Sequence, residues 1–232
     1  MLVLASAAIV CLLGLAGYLT VYINEDSASP KSADVQTEAA LVELEPSDTT
    51  KSNSSPHYGQ DGYVEPKHSY IFVGDSRTVG MRDAVQENDP DDNCTFIAKE
   101  GEGFHWLYND GIVQLEAALK ENPDATVIFN LGVNDLKEMD KYISFYQELF
   151  QAYHNPAFYI MSVNPVNDEI CKGASNAEIQ AFNQAMQEAF PDQYMDCYSY
   201  LLSEDWSTVD GLHYTKDTYR RIHHFSVMIL TA

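Results

Sequence analysis

The sequence predicts an α/β domain of three layers, in which helices cover both faces of a parallel sheet. Three observations lead to this prediction. From residue 67 onward, short apolar runs alternate with helical stretches. The apolar runs are nearly continuous, which is typical of parallel strands buried on both faces. Five such runs in about 165 residues fit a flavodoxin-like, five-stranded sandwich, whose ligand sites lie at the carboxyl ends of the strands.

Each predicted strand is an apolar run that ends at a polar or glycine-containing turn. The strands span 69–73, 95–98, 126–131, 158–163 and, more weakly, 194–197. The predicted helices share an apolar spacing that places their hydrophobic residues on one face. They span 79–86, 107–120, 141–154, 177–190 and 218–230. This alternation supplies a helical crossover after each strand, as a parallel sheet requires.

Two segments precede the predicted domain, which spans residues 67–232. Residues 1–24 have no charged side chain and are long enough to cross a bilayer, which takes about 20 apolar residues. The alternative is a cleaved signal peptide, although its apolar core is usually only about 7–15 residues long. We therefore expect a membrane anchor or signal peptide that places the domain outside the cytoplasm. Residues 25–66 hold nine acidic and two basic side chains, which predicts an acidic flexible linker.

The charge and cysteine content exclude several classes of protein. The chain has 13 Lys and Arg against 35 Asp and Glu, a net charge of −22, which excludes nucleic-acid binding through phosphate contacts. Residues 67–232 alone carry 26 acidic and 11 basic side chains, which disfavours polyanionic substrates. Four cysteines are too few for a disulfide scaffold. One disulfide plus a free thiol, or three reduced thiols, remain open for Cys94, Cys171 and Cys197.

Four polar clusters lie near the predicted carboxyl edge of the sheet. They are Gly74-Asp75-Ser76-Arg77, Gly101-Glu102-Gly103-Phe104-His105-Trp106, Gly132-Val133-Asn134-Asp135 and Asp210-Gly211-Leu212-His213. A Ser at a strand-to-helix turn lies where helix N–H groups stabilise an oxyanion. An Asp-x-x-His loop pairs a general base with a carboxylate that orients it. Taken singly, the first cluster is more typical of a helix cap and the second of an ordinary turn, and the third and fourth also fit a helix cap and a surface pair.

In this order and strand context, the four clusters together resemble the SGNH hydrolases, also called GDSL esterases. The resemblance covers roughly residues 69–232 and is nearest to small secreted or anchored members from Gram-positive bacteria. It implies a serine esterase that works through an acyl-serine with water as the acceptor. It also implies that neither a metal nor an organic cofactor takes part.

The resemblance assigns roles to individual residues. The implied catalytic residues are the nucleophile Ser76, the base His213 and its orienting partner Asp210. The implied oxyanion hole consists of the N–H groups of Ser76 and Gly103 and the side-chain amide of Asn134. Gly101 is the alternative to Gly103, because the loop offers both glycines.

The substrate is expected to be a small acyl ester or an acetylated glycan. Short connections between the motifs favour an open cleft over the tunnel of a lipase. We expect Arg77, Trp106 and Asn164 to contact the substrate, although Arg77 is equally suited to cap a helix and Trp106 to pack in the core. The alternatives to a hydrolase are an O-acyltransferase acting on a surface glycan and a non-catalytic carbohydrate-binding module.

Overall fold

A computed structural model of the protein describes residues 68–89, 93–153 and 157–231. Its centre is a sheet of five parallel strands in the order β2-β1-β3-β4-β5. The strands are β1 (Tyr70–Gly74), β2 (Cys94–Ala98), β3 (Thr126–Asn130), β4 (Phe158–Met161) and β5 (Tyr194–Met195). The predicted α/β fold with a parallel five-stranded sheet is confirmed.

Seven α-helical segments surround the sheet within the described residues. They are α1 (Ser76–Gln86), α2 (Phe104–Trp106), α3 (Ile112–Glu121), α4 (Met139–Ala152), α5 (Asn176–Ala189), α6 (Cys197–Ser203) and α7 (Lys216–Thr231). A π-helical turn, Leu107–Gly111, joins α2 to α3, and a 3₁₀ turn, Leu136–Glu138, precedes α4. The helix predicted over 107–120 therefore begins earlier than expected and contains one wide turn.

The central strands are buried on both faces, which explains their nearly continuous apolar sequence. Ile71 and Val73 of β1 lie in a core formed with α3, α4 and α5. Tyr70 and Phe72 lie in a second core formed with α1, α6 and α7. Because successive side chains of a strand point to opposite faces, all five residues of β1 are buried. The two cores give the domain its three layers.

The strand order creates a crevice at the carboxyl edge of the sheet. β2 lies on one side of β1 and β3 on the other. Gly74, the last residue of β1, is in register with Ala98 of β2 and with Asn130 of β3. The three strands therefore end level, and the loops that leave them share one edge. In doubly wound sheets this switch in strand order is where ligands bind.

The fifth strand is shorter than the predicted span 194–197, because a helix begins there instead. The side chain of Asp196 accepts a hydrogen bond from the N–H of Ser199 and caps α6. The apolar residues Cys197 and Leu201 then face the core from a helix. A short apolar run does not distinguish a buried strand from a buried helix, so the sequence pattern alone pointed to the wrong element.

Some predictions fall on parts of the chain outside the described residues. The predicted anchor, residues 1–24, and the predicted linker, residues 25–66, both lie there. In the part of the chain that the structure describes, no helix is long and apolar enough to cross a membrane. Cys94, Cys171 and Cys197 are all described, and none of them forms a disulfide bond.

Candidate active site

Three side chains form a hydrogen-bonded row at the carboxyl edge of the sheet. Two of them, Asp210 and His213, come from one loop, and Ser76 comes from a distant part of the chain. The Oγ of Ser76 lies 2.9 Å from Nε2 of His213. Nδ1 of His213 lies 2.7 Å from Oδ2 of Asp210. This geometry fits the tautomer in which Nδ1–H donates to the carboxylate and Nε2 accepts from the Ser76 hydroxyl. A hydroxyl, a base and a carboxylate in this order can activate a serine for attack on a carbonyl carbon.

Ser76 owes its position to the capping of α1. It is the first residue of the helix and follows a buried strand. Oδ1 of Asp75 accepts from the N–H of Arg77 at 2.9 Å, so Asp75 is the helix N-cap. The cap starts the helix three residues before the predicted start at 79. An N–H in the first turn has no acceptor within its helix, so the N–H of Ser76 is available to a ligand.

Asp210 braces the loop that carries His213. Its Oδ1 accepts from the backbone N–H groups of Leu212 and His213 at 2.9 and 2.7 Å. Desolvation raises the pKa of Asp210, but the hydrogen bonds from the His213 ring and from the two N–H groups outweigh it and lower the pKa to about 2. Asp210 is therefore a carboxylate at neutral pH and holds the imidazole toward Ser76.

The loops that follow β2 and β3 meet through the side chain of Asn134. Its Nδ2 donates to the carbonyl oxygen of Glu102 at 2.7 Å. That carbonyl belongs to the same planar peptide as the N–H of Gly103, so Asn134 fixes the direction of this N–H. The side chain of Asn134 is exposed and has a second amide hydrogen to offer. Gly101 has a φ of 71° and open space around its Cα, which is typical of a turn.

Asp135 holds the two loops together, a role that the motifs in the sequence did not predict. Its Oδ2 accepts from the N–H of Phe104 at 2.6 Å, and its Oδ1 accepts from the hydroxyl of Tyr142 at 2.8 Å. A Cβ added at Gly103 would lie 2.2 Å from Oδ2 of Asp135, so only glycine fits there. Burial raises the pKa of Asp135, although the two hydrogen bonds oppose this shift. The position of Asp135 beside Asn134 was the only sequence signal for its role.

The three side chains expected to contact the substrate are buried. Arg77 and Trp106 are each 3% exposed, and Asn164 is 2% exposed. α2 turns Trp106 toward the sheet, where its ring packs against Gly111 in the hydrophobic core. The amide oxygen of Asn164 faces the hydroxyl of Ser162 in the interior. In this conformation none of the three offers a surface to a ligand.

Buried Arg77 connects α1 to two neighbouring loops. Its Nη1 donates to the carbonyl oxygen of Asn164 at 2.8 Å, and its guanidinium lies 5.1 Å from the ring centre of Tyr214. The hydroxyl of Tyr214 donates to the carbonyl oxygen of Pro165. The residue after the serine and the residue after the imidazole therefore bind adjacent carbonyls. Arg77 and Tyr214 thus hold the hydroxyl and the imidazole at a set separation.

We expect Asp75→Asn to stabilise the domain more at neutral than at acidic pH. Burial raises the pKa of Asp75 from 3.8 to about 6, against the lowering effect of Arg77. Above about pH 6, ionising the buried carboxyl costs stability on the order of 3 kcal/mol. Below about pH 4 the carboxyl is neutral in both the folded and unfolded states, and this cost disappears. The amide of Asn still accepts the capping hydrogen bond from the Arg77 N–H.

Urea unfolding at several pH values measures this effect. The stability of the variant minus that of the wild type rises between about pH 4 and pH 6 and is then constant. Asp124→Asn, at an exposed position, is the matched control and shows no such rise. A difference for Asp75→Asn that is independent of pH would contradict the prediction.

No protein-family model and no curated protein matches the sequence. Among the residues that the structure describes, no group of three or more His, Cys, Asp or Glu side chains is arranged to hold a metal ion. Solved structures do match, and two of them are described as acylhydrolases. The described domain has the fold of the SGNH hydrolases, as the four motifs predicted.

The individual matches are distant in sequence. A lipase/acylhydrolase from Enterococcus faecalis is 16% identical with a TM-score of 0.54, covering 70% of this chain and 95% of that one. A Bacteroides fragilis protein, assigned by inference as an acylhydrolase, is 17% identical with a TM-score of 0.57, covering 72% and 88%. TesA is 16% identical with a TM-score of 0.50, covering 70% and 98%. At such low identities the likeness establishes the fold and leaves the activity to be argued from the site.

Proposed function

We propose that the protein is a serine ester hydrolase of the SGNH type that acts outside the cytoplasm on short acyl esters. The hydrogen-bonded row of Ser76, His213 and Asp210 carries this proposal. It lies at the switch point of the sheet, in a fold shared with acylhydrolases. A structural serine has no need of an imidazole that is itself oriented by an ionised carboxylate.

The proposed reaction has two acyl-transfer steps. The Oγ of Ser76 attacks the ester carbonyl carbon while Nε2 of His213 takes its proton. The N–H groups of Ser76 and Gly103 and the amide of Asn134 stabilise the resulting oxyanion. His213 then returns the proton to the departing alkoxide, which leaves an acyl-serine. Water, deprotonated by Nε2 of His213, attacks the acyl-serine; as the bond to Oγ breaks, His213 returns the proton to Oγ of Ser76 and the carboxylic acid leaves.

The acyl group is proposed to be short and the alcohol to be a carbohydrate. The loops that carry the site are braced by hydrogen bonds at Asp135 and Asp210, which supports a preformed site, and the short connections between the motifs favour an open cleft. The excess of acidic side chains in residues 67–232 supports a neutral substrate over a polyanion. We further propose that residues 1–24 anchor or export the chain.

A series of p-nitrophenyl esters from acetate to octanoate tests the proposal on the purified full chain. We expect turnover to be fastest on acetate and to fall as the acyl chain lengthens, because an open cleft offers no tunnel for a long chain. Fastest turnover on octanoate would contradict a short acyl group. A folded protein that turns over none of the esters would contradict hydrolysis, and turnover only when a sugar acceptor is added would indicate an O-acyltransferase.

A further inference from the structure

A groove of about 410 Å³, which we call the side groove, lies beside the loop of residues 210–213. Its lining residues come from two segments, residues 166–170 after β4 and residues 206–208 before α7. Its volume is within the range of small-molecule sites, roughly 300–1,000 Å³.

Both walls of the side groove are bonded to the loop that carries the imidazole. The N–H of Asn167 donates to the carbonyl oxygen of Gly211 at 2.9 Å. The N–H of Gly211 donates to the hydroxyl of Thr208 at 3.1 Å. Gly211 has a φ of 93°, and a Cβ there would lie 2.7 Å from the backbone nitrogen of Cys171. A ligand in the groove would therefore contact the two segments that are hydrogen-bonded to the loop that holds Asp210 and His213.

Trp206 supplies a flat aromatic surface in the wall of the groove. Its ring is partly exposed and packs edge to face on Tyr214, with ring centres 6.1 Å apart. That contact, together with the core around Tyr214, holds the indole in one orientation. Trp106, where an aromatic sugar contact was predicted, has a buried ring. Trp206 is the only other tryptophan in the chain.

The remaining lining combines polar groups with apolar surface. The amide N–H groups of Asn167 and the hydroxyls of Ser207 and Thr208 line the groove, beside the carboxylate of Asp168, whose two oxygens already accept from Asn176. Ile170, at 51% exposure, adds an apolar contact. Among the described residues, no Lys or Arg lines the groove. A carboxylate without a basic partner in the lining disfavours an anionic ligand.

We propose that the side groove binds a neutral sugar unit of the substrate, with one face of the sugar stacked on Trp206. A sugar ring presents apolar C–H groups on its faces and hydroxyls at its edge, which matches an aromatic face flanked by polar groups. This inference rests on the proposed ester hydrolase, since it assigns the groove to the alcohol side of the ester. It predicts that the enzyme prefers an acetylated oligosaccharide to an acetylated monosaccharide.

Binding is measured on the full chain with oligosaccharides that carry no ester, so that no turnover is needed. The probes are the neutral tetrasaccharides cellotetraose, xylotetraose and chitotetraose, with anionic tetragalacturonate for comparison. The readout is the indole N–H signal of each tryptophan in ¹⁵N-labelled protein. We expect at least one neutral probe to shift the Trp206 signal saturably while the buried Trp106 signal stays in place. If no neutral probe shifts the Trp206 signal at about 10 mM, the Kd is weaker than that of most specific sites. That result would overturn the proposal.

Kinetics then connect the groove to catalysis. The quantity compared is kcat/KM on the acetylated form of the bound tetrasaccharide, divided by kcat/KM on p-nitrophenyl acetate. We expect Trp206→Leu to lower this ratio at least about tenfold, and Trp206→Tyr, which keeps an aromatic face, to stay within about threefold. An unchanged ratio in Trp206→Leu would overturn the subsite even if the ester hydrolase proposal holds. Sugar binding without ester turnover would contradict the proposed function instead.

Discussion

Ser76→Ala is expected to abolish ester turnover while the domain remains folded. The hydroxyl is the proposed nucleophile, and its Oγ lies 2.9 Å from Nε2 of His213. Without it, no acyl-serine forms, and we expect kcat on p-nitrophenyl acetate to fall by at least about 10⁴-fold. The substitution replaces a hydroxymethyl group by a methyl group at the partly exposed first position of α1. The free energy of unfolding should therefore change little.

Two further measurements make this prediction sharp. Ser144→Ala, which removes an exposed serine hydroxyl bonded within α4, is the matched control and should keep full turnover. A serine-reactive sulfonyl fluoride should add one adduct to the wild type at Ser76 and none to Ser76→Ala. Turnover near the wild-type rate in the folded Ser76→Ala variant would refute the assignment of the nucleophile.

Asn134→Ala is expected to lower kcat by ~10²–10³ with a much smaller effect on KM, because an oxyanion donor acts mainly on the transition state. Two losses combine in this variant. The amide hydrogen offered to the oxyanion disappears, and so does the hydrogen bond to the carbonyl oxygen of Glu102. That bond sets the direction of the Gly103 N–H, so a second proposed donor also loses its fixed orientation.

The matched control for Asn134 is Asn109→Ala. Asn109 is also exposed, and its Nδ2 also donates to a backbone carbonyl, that of His105, at 2.7 Å. It follows the same β2 loop but belongs to none of the four motifs, so its removal should leave kcat within a few-fold of wild type. A decrease in kcat of less than a few-fold in Asn134→Ala would assign that residue a purely structural role.

The prediction of the fold succeeded where burial is directly readable from the sequence. A strand buried on both faces consists mainly of apolar residues, so β1 and the central residues 127–129 of β3 stand out as apolar runs. The prediction failed at α6, where Asp196 caps a helix after only two residues of strand. Capping depends on one side chain and its local angles, whereas an apolar run is the same for either element.

The sequence by itself determined the order of the strands along the chain and the residue types that follow each one. That was enough to predict the sheet and to single out Ser76, Asn134, Asp210 and His213. Each motif ends a strand or begins a helix, and parallel strands bring such positions to one edge. The chemistry of the candidate site was inferred from the four motifs together, through their resemblance to the SGNH hydrolases.

Only the tertiary structure decided which side chains face solvent and which contacts join distant loops. Trp106 and Arg77 are buried, whereas Trp206 is partly exposed beside the loop of the imidazole. Likewise, Asp135 meets the N–H of Phe104 from 31 positions away. The direction of a side chain follows from the packing of several elements at once. No local pattern contains that information, because the neighbours that impose it are remote in sequence.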